Sequence, residues 1–236
     1  MKDSCNKTWV RGIMTLAKPL LHLRTVGADN IRREDGPAVF ICNHGATFGV
    51  IAAIVYLPVK FKLWVHDKML CRETAIPTIE QTYRDRYRWL GPRLKKTLIR
   101  WISKPVCAAI NSLNTIPVSR TNTIAMIDTI SDSVKALREG YNVLIFPEKP
   151  GQRYDENAYR EMHPAYSIIG MQYYAQSGKE LSFYPVFADK RHRRFSIGEP
   201  VQYQPESDPH DEAMRIVSEV QSRMIRLSEE FNNQNR

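Results

Sequence analysis

The stretch that decides the fold is residues 37–57, "PAVFICNHGATFGVIAAIVYL". Its first six residues form a short apolar run, with Asp35-Gly36 before it and Asn43-His44 after it, the pattern of a buried strand. Residues 50–57 are again almost wholly apolar and stop at Pro58, which suits a buried helix. Between the two lies a tight turn of small residues, and it receives Asn43 and His44 from the end of the strand. A strand, a turn and a helix in this order open an α/β unit.

The same alternation continues along the chain. Residues 61–67 (FKLWVHD), 113–120 (LNTIPVSR), 142–148 (NVLIFPE), 181–189 (LSFYPVFAD) and 193–203 (RRFSIGEPVQY) read as strands. A helix after Thr121 or Asn122 is marked by an apolar stripe of Ile124, Ile127, Ile130, Val134 and Leu137 and is closed by Gly140. Further helices are expected near 164–176 and over about 209–232, the latter with Ala213, Ile216, Val220, Met224 and Leu227 on one side. The fold class is therefore α/β, a single domain spanning 1–236, with a mixed, mostly parallel sheet flanked by helices.

Two segments differ from the rest. Residues 1–24 hold a mixed basic and apolar helix from Trp9 to Leu23, split at Lys18-Pro19 and so too short for a secretory core. No window approaches the length of a membrane-spanning helix. Residues 77–110 read as a basic amphipathic helical insertion. Its 77–104 portion carries eight basic residues against two acidic ones, +6 of the net charge of +9. Trp89, Leu98 and Trp101 lie among these charges and are the expected membrane contacts, as in an interfacial helix. The alternative is a helix with its apolar stripe in the core and its charges in solvent.

The overall charge favours an acidic partner: a phospholipid surface, a phosphorylated substrate or an acidic carrier protein. No nucleic-acid motif accompanies it, and none is expected to bind. Cys5, Cys42, Cys71 and Cys107 are scattered, without a Cys/His cluster, so neither a metal site nor a disulfide framework is expected. Reduced thiols fit a cytoplasmic location.

In an open α/β sheet, ligands gather at the carboxyl ends of the strands. Three ends carry polar residues there: Asn43-His44, Ser119-Arg120 and Glu148. His44 exchanges a proton near neutral pH. Arg120 offers a planar fork for phosphate. Glu148 accepts hydrogen bonds from a hydroxyl. No G-x-S-x-G elbow is present, which disfavours a serine hydrolase.

At these residues the chain resembles the glycerolipid and lysophospholipid acyltransferase family. "VFICNHGATFG" is similar to the first family block, an Asn-His at a strand end followed by an Asp. "TIPVSR" is similar to the second, ending in a phosphate-binding Arg, here Arg120. "LIFPEKPGQRY" is similar to the third, Phe-Pro-Glu-Gly-Thr-Arg-Ser. "FYPVF" is similar to the fourth, a strand with an embedded Pro, here Pro185. The blocks occur in order and cover roughly residues 8–230.

The resemblance implies transfer of a fatty acyl group from acyl-CoA or acyl-carrier protein, as cosubstrate, to a hydroxyl of a lysophospholipid or glycerol-phosphate-like acceptor. No other cofactor is implied. His44 would be the general base, Arg120 and Arg153 would hold phosphate, and Asn43, Glu148 and Gly151 would complete the acceptor site.

Two departures fall inside these blocks. The family's Asp, which orients the histidine, coincides with Gly49, and loss of such a carboxylate costs about 10⁴ in rate in the serine-protease case. Lys149-Pro150 also separate Glu148 from Gly151-Gln152-Arg153. Asp67, at the end of the next strand, and Glu148 are the candidate replacement carboxylates. A catalytically silent lipid- or acyl-binding relative is the alternative function.

Overall fold

Val39–Cys42 is the most deeply buried strand of the sheet, with all four residues inaccessible to solvent. Its side chains alternate with the period of two that a strand imposes. Val39 and Ile41 enter one core layer, and Phe40 and Cys42 enter the other. The computed structural model describes residues 18–19, 21–82, 91–119, 123–148 and 162–229.

The strands are β1 (Arg24–Val26), β2 (Val39–Cys42), β3 (Phe61–His66), β4 (Thr115–Val118), β5 (Asn142–Ile145), β6 (Ser182–Asp189), β7 (Arg194–Ile197) and β8 (Val201–Gln202). They form one eight-stranded sheet in the order β1-β7-β6-β2-β5-β3-β4, with β8 added to β6. Strands β2 to β6 all run parallel, whereas β6 meets β7 and β8 antiparallel. The helices among the described residues are α1 (Phe48–Tyr56), α2 (Arg72–Thr82), α3 (Pro92–Ser112), α4 (Thr123–Arg138), α5 (Ile168–Ser177) and α6 (Pro209–Glu229). No described helix is long and apolar enough to cross a membrane.

Both faces of the sheet are covered, as a mostly parallel sheet requires. On one face Ile130, Val134 and Leu137 of α4, Ile169 and Tyr173 of α5 and Ile216, Val220 and Met224 of α6 pack over Val39, Ile41, Val143, Ile145 and Phe183. On the other, Ala52, Ala53 and Tyr56 of α1 cover Phe40, Leu144, Tyr184 and Val186, joined by Ile110 and Leu113 at the end of the α3 segment. Burying one such aliphatic side chain contributes about 1.5–3 kcal/mol, so these two layers supply most of the drive for folding.

Several boundaries differ from the sequence expectation, each for a physical reason. The insertion is two helices that begin at Arg72 and end at Ser112, and Pro77 sits inside α2 instead of opening it. Residues 193–203 form two short strands, β7 and β8, both paired with β6. Between them Gly198 donates its N–H to the Pro185 carbonyl at 2.8 Å, where a Cβ would press on the Pro185 ring. β1 was not expected: three residues, none fully buried, pair in parallel with β7 and exist only because β7 is there.

Ile124 and Ile127, expected in the core, are 71% and 61% exposed. Thr129 Oγ1 donates to the Pro117 carbonyl at 2.8 Å, so residue 129 is level with the last turn of backbone in β4. The preceding residues of α4 overhang the strand end by about 1.5 Å per residue and have no sheet beneath them. In α6 the buried stripe carries Glu212, which accepts from Arg215 at 2.6 and 2.8 Å and from the Gln204 N–H at 2.7 Å. All but the last residues of the expected Trp9–Leu23 helix lie outside the described residues.

Candidate active site

Because β2 to β6 are parallel, their carboxyl ends share one edge of the sheet. In spatial order that edge carries Asp189 after β6, Asn43-His44 after β2, Glu148 after β5, His66-Asp67 at β3 and Ser119 after β4. The chain leaving β2 enters α1 on one face of the sheet, and the chain leaving β5 leads to α5 on the other. Adjacent strands whose connections part in this way open a crevice between them, the usual ligand position of an open α/β sheet. His44 and Glu148 stand on its two sides.

They also touch. The His44 main-chain N–H donates to Glu148 Oε1 at 2.8 Å. The His44 carbonyl accepts from Thr47 N–H at 3.1 Å and from Gly49 N–H at 3.2 Å. The half-buried imidazole stands edge-on to Phe146, with ring centroids 5.8 Å apart. The backbone of His44 is thus fixed from both sides, and Phe146 walls one side of its ring. Glu148 in turn pairs with Met162 across an isolated bridge. Glu148 and Met162, the described residues on either side of 149–161, therefore meet beside this carboxylate.

Gly49 is tighter than a missing carboxylate would suggest. An ideal Cβ built on it would overlap the Asn43 carbonyl oxygen and lie 3.0 and 3.1 Å from the carbonyl carbons of Asn43 and His44. The turn that creates this approach is a 3₁₀ turn, Gly45–Thr47, with φ of 51° at Gly45 and 107° at Thr47. A non-glycine residue at positive φ costs of order 1–3 kcal/mol and persists where surrounding contacts enforce it. No side chain, aspartate included, fits at position 49 in this turn.

Asn43, expected to bind substrate, has its side chain committed elsewhere. Oδ1 accepts from Ala188 N–H at 2.7 Å and Nδ2 donates to the Ala188 carbonyl at 3.1 Å, both buried. It clamps the end of β2 to β6. Asp67, expected as a replacement carboxylate for His44, lies two strands away because β5 inserts between β2 and β3. At about 4.8 Å per strand, the two backbones stand roughly 10 Å apart. Its Oδ1 lies 2.8 Å from His66 Nδ1 and accepts from Lys68 N–H at 2.7 Å, so it serves its own turn. Of the two candidates, only Glu148 reaches His44, through the main chain.

Cys42 Sγ, just below the crevice, is held protonated: burial raises its pKa well above the usual thiol value, and the charge of Glu148 adds to the effect. A thiol nucleophile is therefore not on offer at this strand end. A further histidine at the same edge, His192, has no counterpart among the sequence expectations. His192 Nδ1 lies 2.6 Å from Asp189 Oδ2, and the His192 main-chain N–H donates to Asp189 Oδ1 at 3.0 Å. Only the D-x-x-H spacing across the β6–β7 turn signals it.

Arg120, Gly151 and Arg153 lie outside the described residues, as does Trp89. Leu98 and Trp101 are exposed on α3. At the opposite edge of the sheet, a polar cleft of about 370 Å³ lined by Arg32, Glu199, Arg215, Glu219 and Arg223 holds ion pairs of Glu219 with Arg215 and Arg223 within α6, and Arg215 donates to the Gln202 carbonyl of β8. It serves packing, not chemistry. No protein-family model matches the chain, and neither does any curated protein.

Proposed function

We propose that the chain is an acyltransferase that moves a fatty acyl group from an acyl thioester, acyl-CoA or acyl-carrier protein, to a hydroxyl of a lysophospholipid or glycerol-phosphate-like acceptor. It works as a peripheral protein on the cytoplasmic face of a membrane. The observation that carries the reading is the contact of His44 with Glu148 at the crevice between β2 and β5. The ring of His44 takes the acceptor proton as the oxygen attacks the thioester carbonyl. The C–S bond then breaks, and the thiolate leaving group recovers the proton. Glu148 holds the histidine backbone in register and Arg120 takes the acceptor phosphate. The overhanging Ile124 and Ile127 at the same edge offer an apolar surface for acyl chains.

A catalytically silent lipid- or acyl-binding relative is the second reading, and the packing at Gly49 favours it, because the turn excludes the usual orienting aspartate. Thiol release from acyl-CoA and acyl-carrier protein, supplied with a panel of lysolipids, separates the two. A general base contributes about 10²–10⁴-fold, so His44→Ala is expected to lose that much. Thiol release that is absent from wild type with every pair would establish the silent reading. Release that survives His44→Ala but not His192→Ala would move the base to the Asp189–His192 pair.

A further inference from the structure

α3 carries two apolar stripes, and the fold uses only one. Ile99, Ser103 and Cys107 are buried, and Ile99 and Cys107 pack with Ala75 and Ile79 of α2. That accounts for the inner face of the insertion. A second row, Leu94, Leu98, Trp101 and Ile102, recurs at i, i+4, i+7 and i+8 and lies open to solvent, Leu94 at 68% and Trp101 at 79% exposure. At 100° per residue the two rows sit about 155° apart on the helix. The outer row is therefore not the flank of the packed one. Sequence periodicity merges the two rows into one broadly apolar helix, and only the position of α2 tells them apart.

The charges on α3 are equally one-sided. Arg93, Lys95, Lys96, Arg100 and Lys104 lie within Pro92–Ser112, which contains no acidic residue. Arg93, Lys96, Arg100 and Lys104 are exposed, and at 100° per residue Arg93 and Lys104 stand on the side of the helix next to Trp101.

From this arrangement we propose that α3 docks side-on to an anionic phospholipid surface. Leu94, Leu98, Trp101 and Ile102 enter the boundary between headgroups and acyl chains, and the flanking cations meet lipid phosphates. A second copy of the chain is the poorer occupant on two counts. A stable protein interface takes roughly 20–30 residues a side, against four here. A two-fold contact would also set the exposed cations of α3 against their own copies with no acid to relieve them. A lipid surface needs only a shallow apolar row and supplies the opposite charge. The indole of Trp101 suits that boundary, apolar over its rings and polar at its N–H. The proposal extends the peripheral part of the functional reading and does not depend on the chemistry at His44.

The test is vesicle flotation of the full chain without substrate, on phosphatidylcholine alone and on phosphatidylcholine mixed with phosphatidylglycerol. Wild type is expected to float with the mixed vesicles and to be released by high salt. Leu98→Gln with Trp101→Gln should cut the bound fraction about tenfold or more, since both apolar anchors go. Arg93→Gln with Lys104→Gln should remove the phosphatidylglycerol dependence. All four positions are exposed, so circular dichroism and thermal midpoint should stay at wild-type values. Wild type that stays unbound, or flotation unchanged in the Leu98/Trp101 variant, overturns the proposal. So does a wild-type dimer on gel filtration that the same variant splits, which would hand the face to a second copy. Thiol release dependent on His44 is measured separately, on detergent-dispersed acceptor, so failure of docking and failure of acyl transfer are distinguishable.

Discussion

Replacing Gly49 by alanine sets two ordinary effects in opposition. Gly49 lies in the first turn of α1, where alanine is favoured over glycine by about 1 kcal/mol. If the site had room, Gly49→Ala would stabilise the protein by up to that amount. The added Cβ instead overlaps the Asn43 carbonyl oxygen, so either the helix start or residue 43 must move. Residue 43 resists, because its side chain is clamped to both backbone groups of Ala188. Breaking that clamp forfeits two buried hydrogen bonds at about 1 kcal/mol each and adds local strain, for a net loss of about 2–4 kcal/mol. In a chain of 236 residues this corresponds to a fall of about 5–15 °C in Tm. Gly49→Asp should fall at least as far, and should not raise thiol release despite placing a carboxylate five residues after His44. The assay is thermal and urea unfolding of wild type and both variants. A Gly49→Ala protein as stable as wild type, or more so, would refute the packing argument, and a Gly49→Asp protein with raised activity would refute the claim that the turn excludes an orienting carboxylate.

Four further outcomes are expected. Asn43→Ala leaves the N–H and carbonyl of Ala188 buried without their partner, and urea unfolding should show a loss of about 2–4 kcal/mol. Glu148→Gln keeps an oxygen for the His44 N–H and should cost under about 1 kcal/mol, whereas Glu148→Ala should cost about 1–3 kcal/mol in the same measurement. Ile127→Ser should shift stability by no more than about 0.5 kcal/mol, against about 2–5 kcal/mol for Ile130→Ala three residues on; equal losses would contradict the overhang of α4. The raised pKa of Cys42 gives an alkaline dependence of defined sign. The folded state keeps the proton that the unfolded thiol releases above about pH 8.5, so this contribution is present below that pH and is lost as pH rises beyond it. Thermal midpoints followed from neutral to alkaline pH should fall less steeply in Cys42→Ala than in wild type.

The strands β2, β5 and β6 were legible because each is a run of apolar, mostly β-branched or aromatic residues bounded by turn residues, and local composition suffices to bury such a run. The long helices α4 and α6 were legible from their 3.6-residue period. So were the positions of His44 and Glu148, since both follow a strand directly. What residue order could not supply was adjacency. β5 comes late in the chain yet inserts between β2 and β3, and that placement brings Glu148 to the His44 backbone and carries Asp67 away from it. The exposure of Ile124 and Ile127 depends on where β4 stops relative to α4, a fact of packing that periodicity does not contain. The second apolar row of α3 became a surface only once α2 had covered the first. Gly49 shows the division most clearly. Residue order alone shows that no carboxylate stands there; packing shows that none fits, because the main chain of Asn43 occupies the space a Cβ would need.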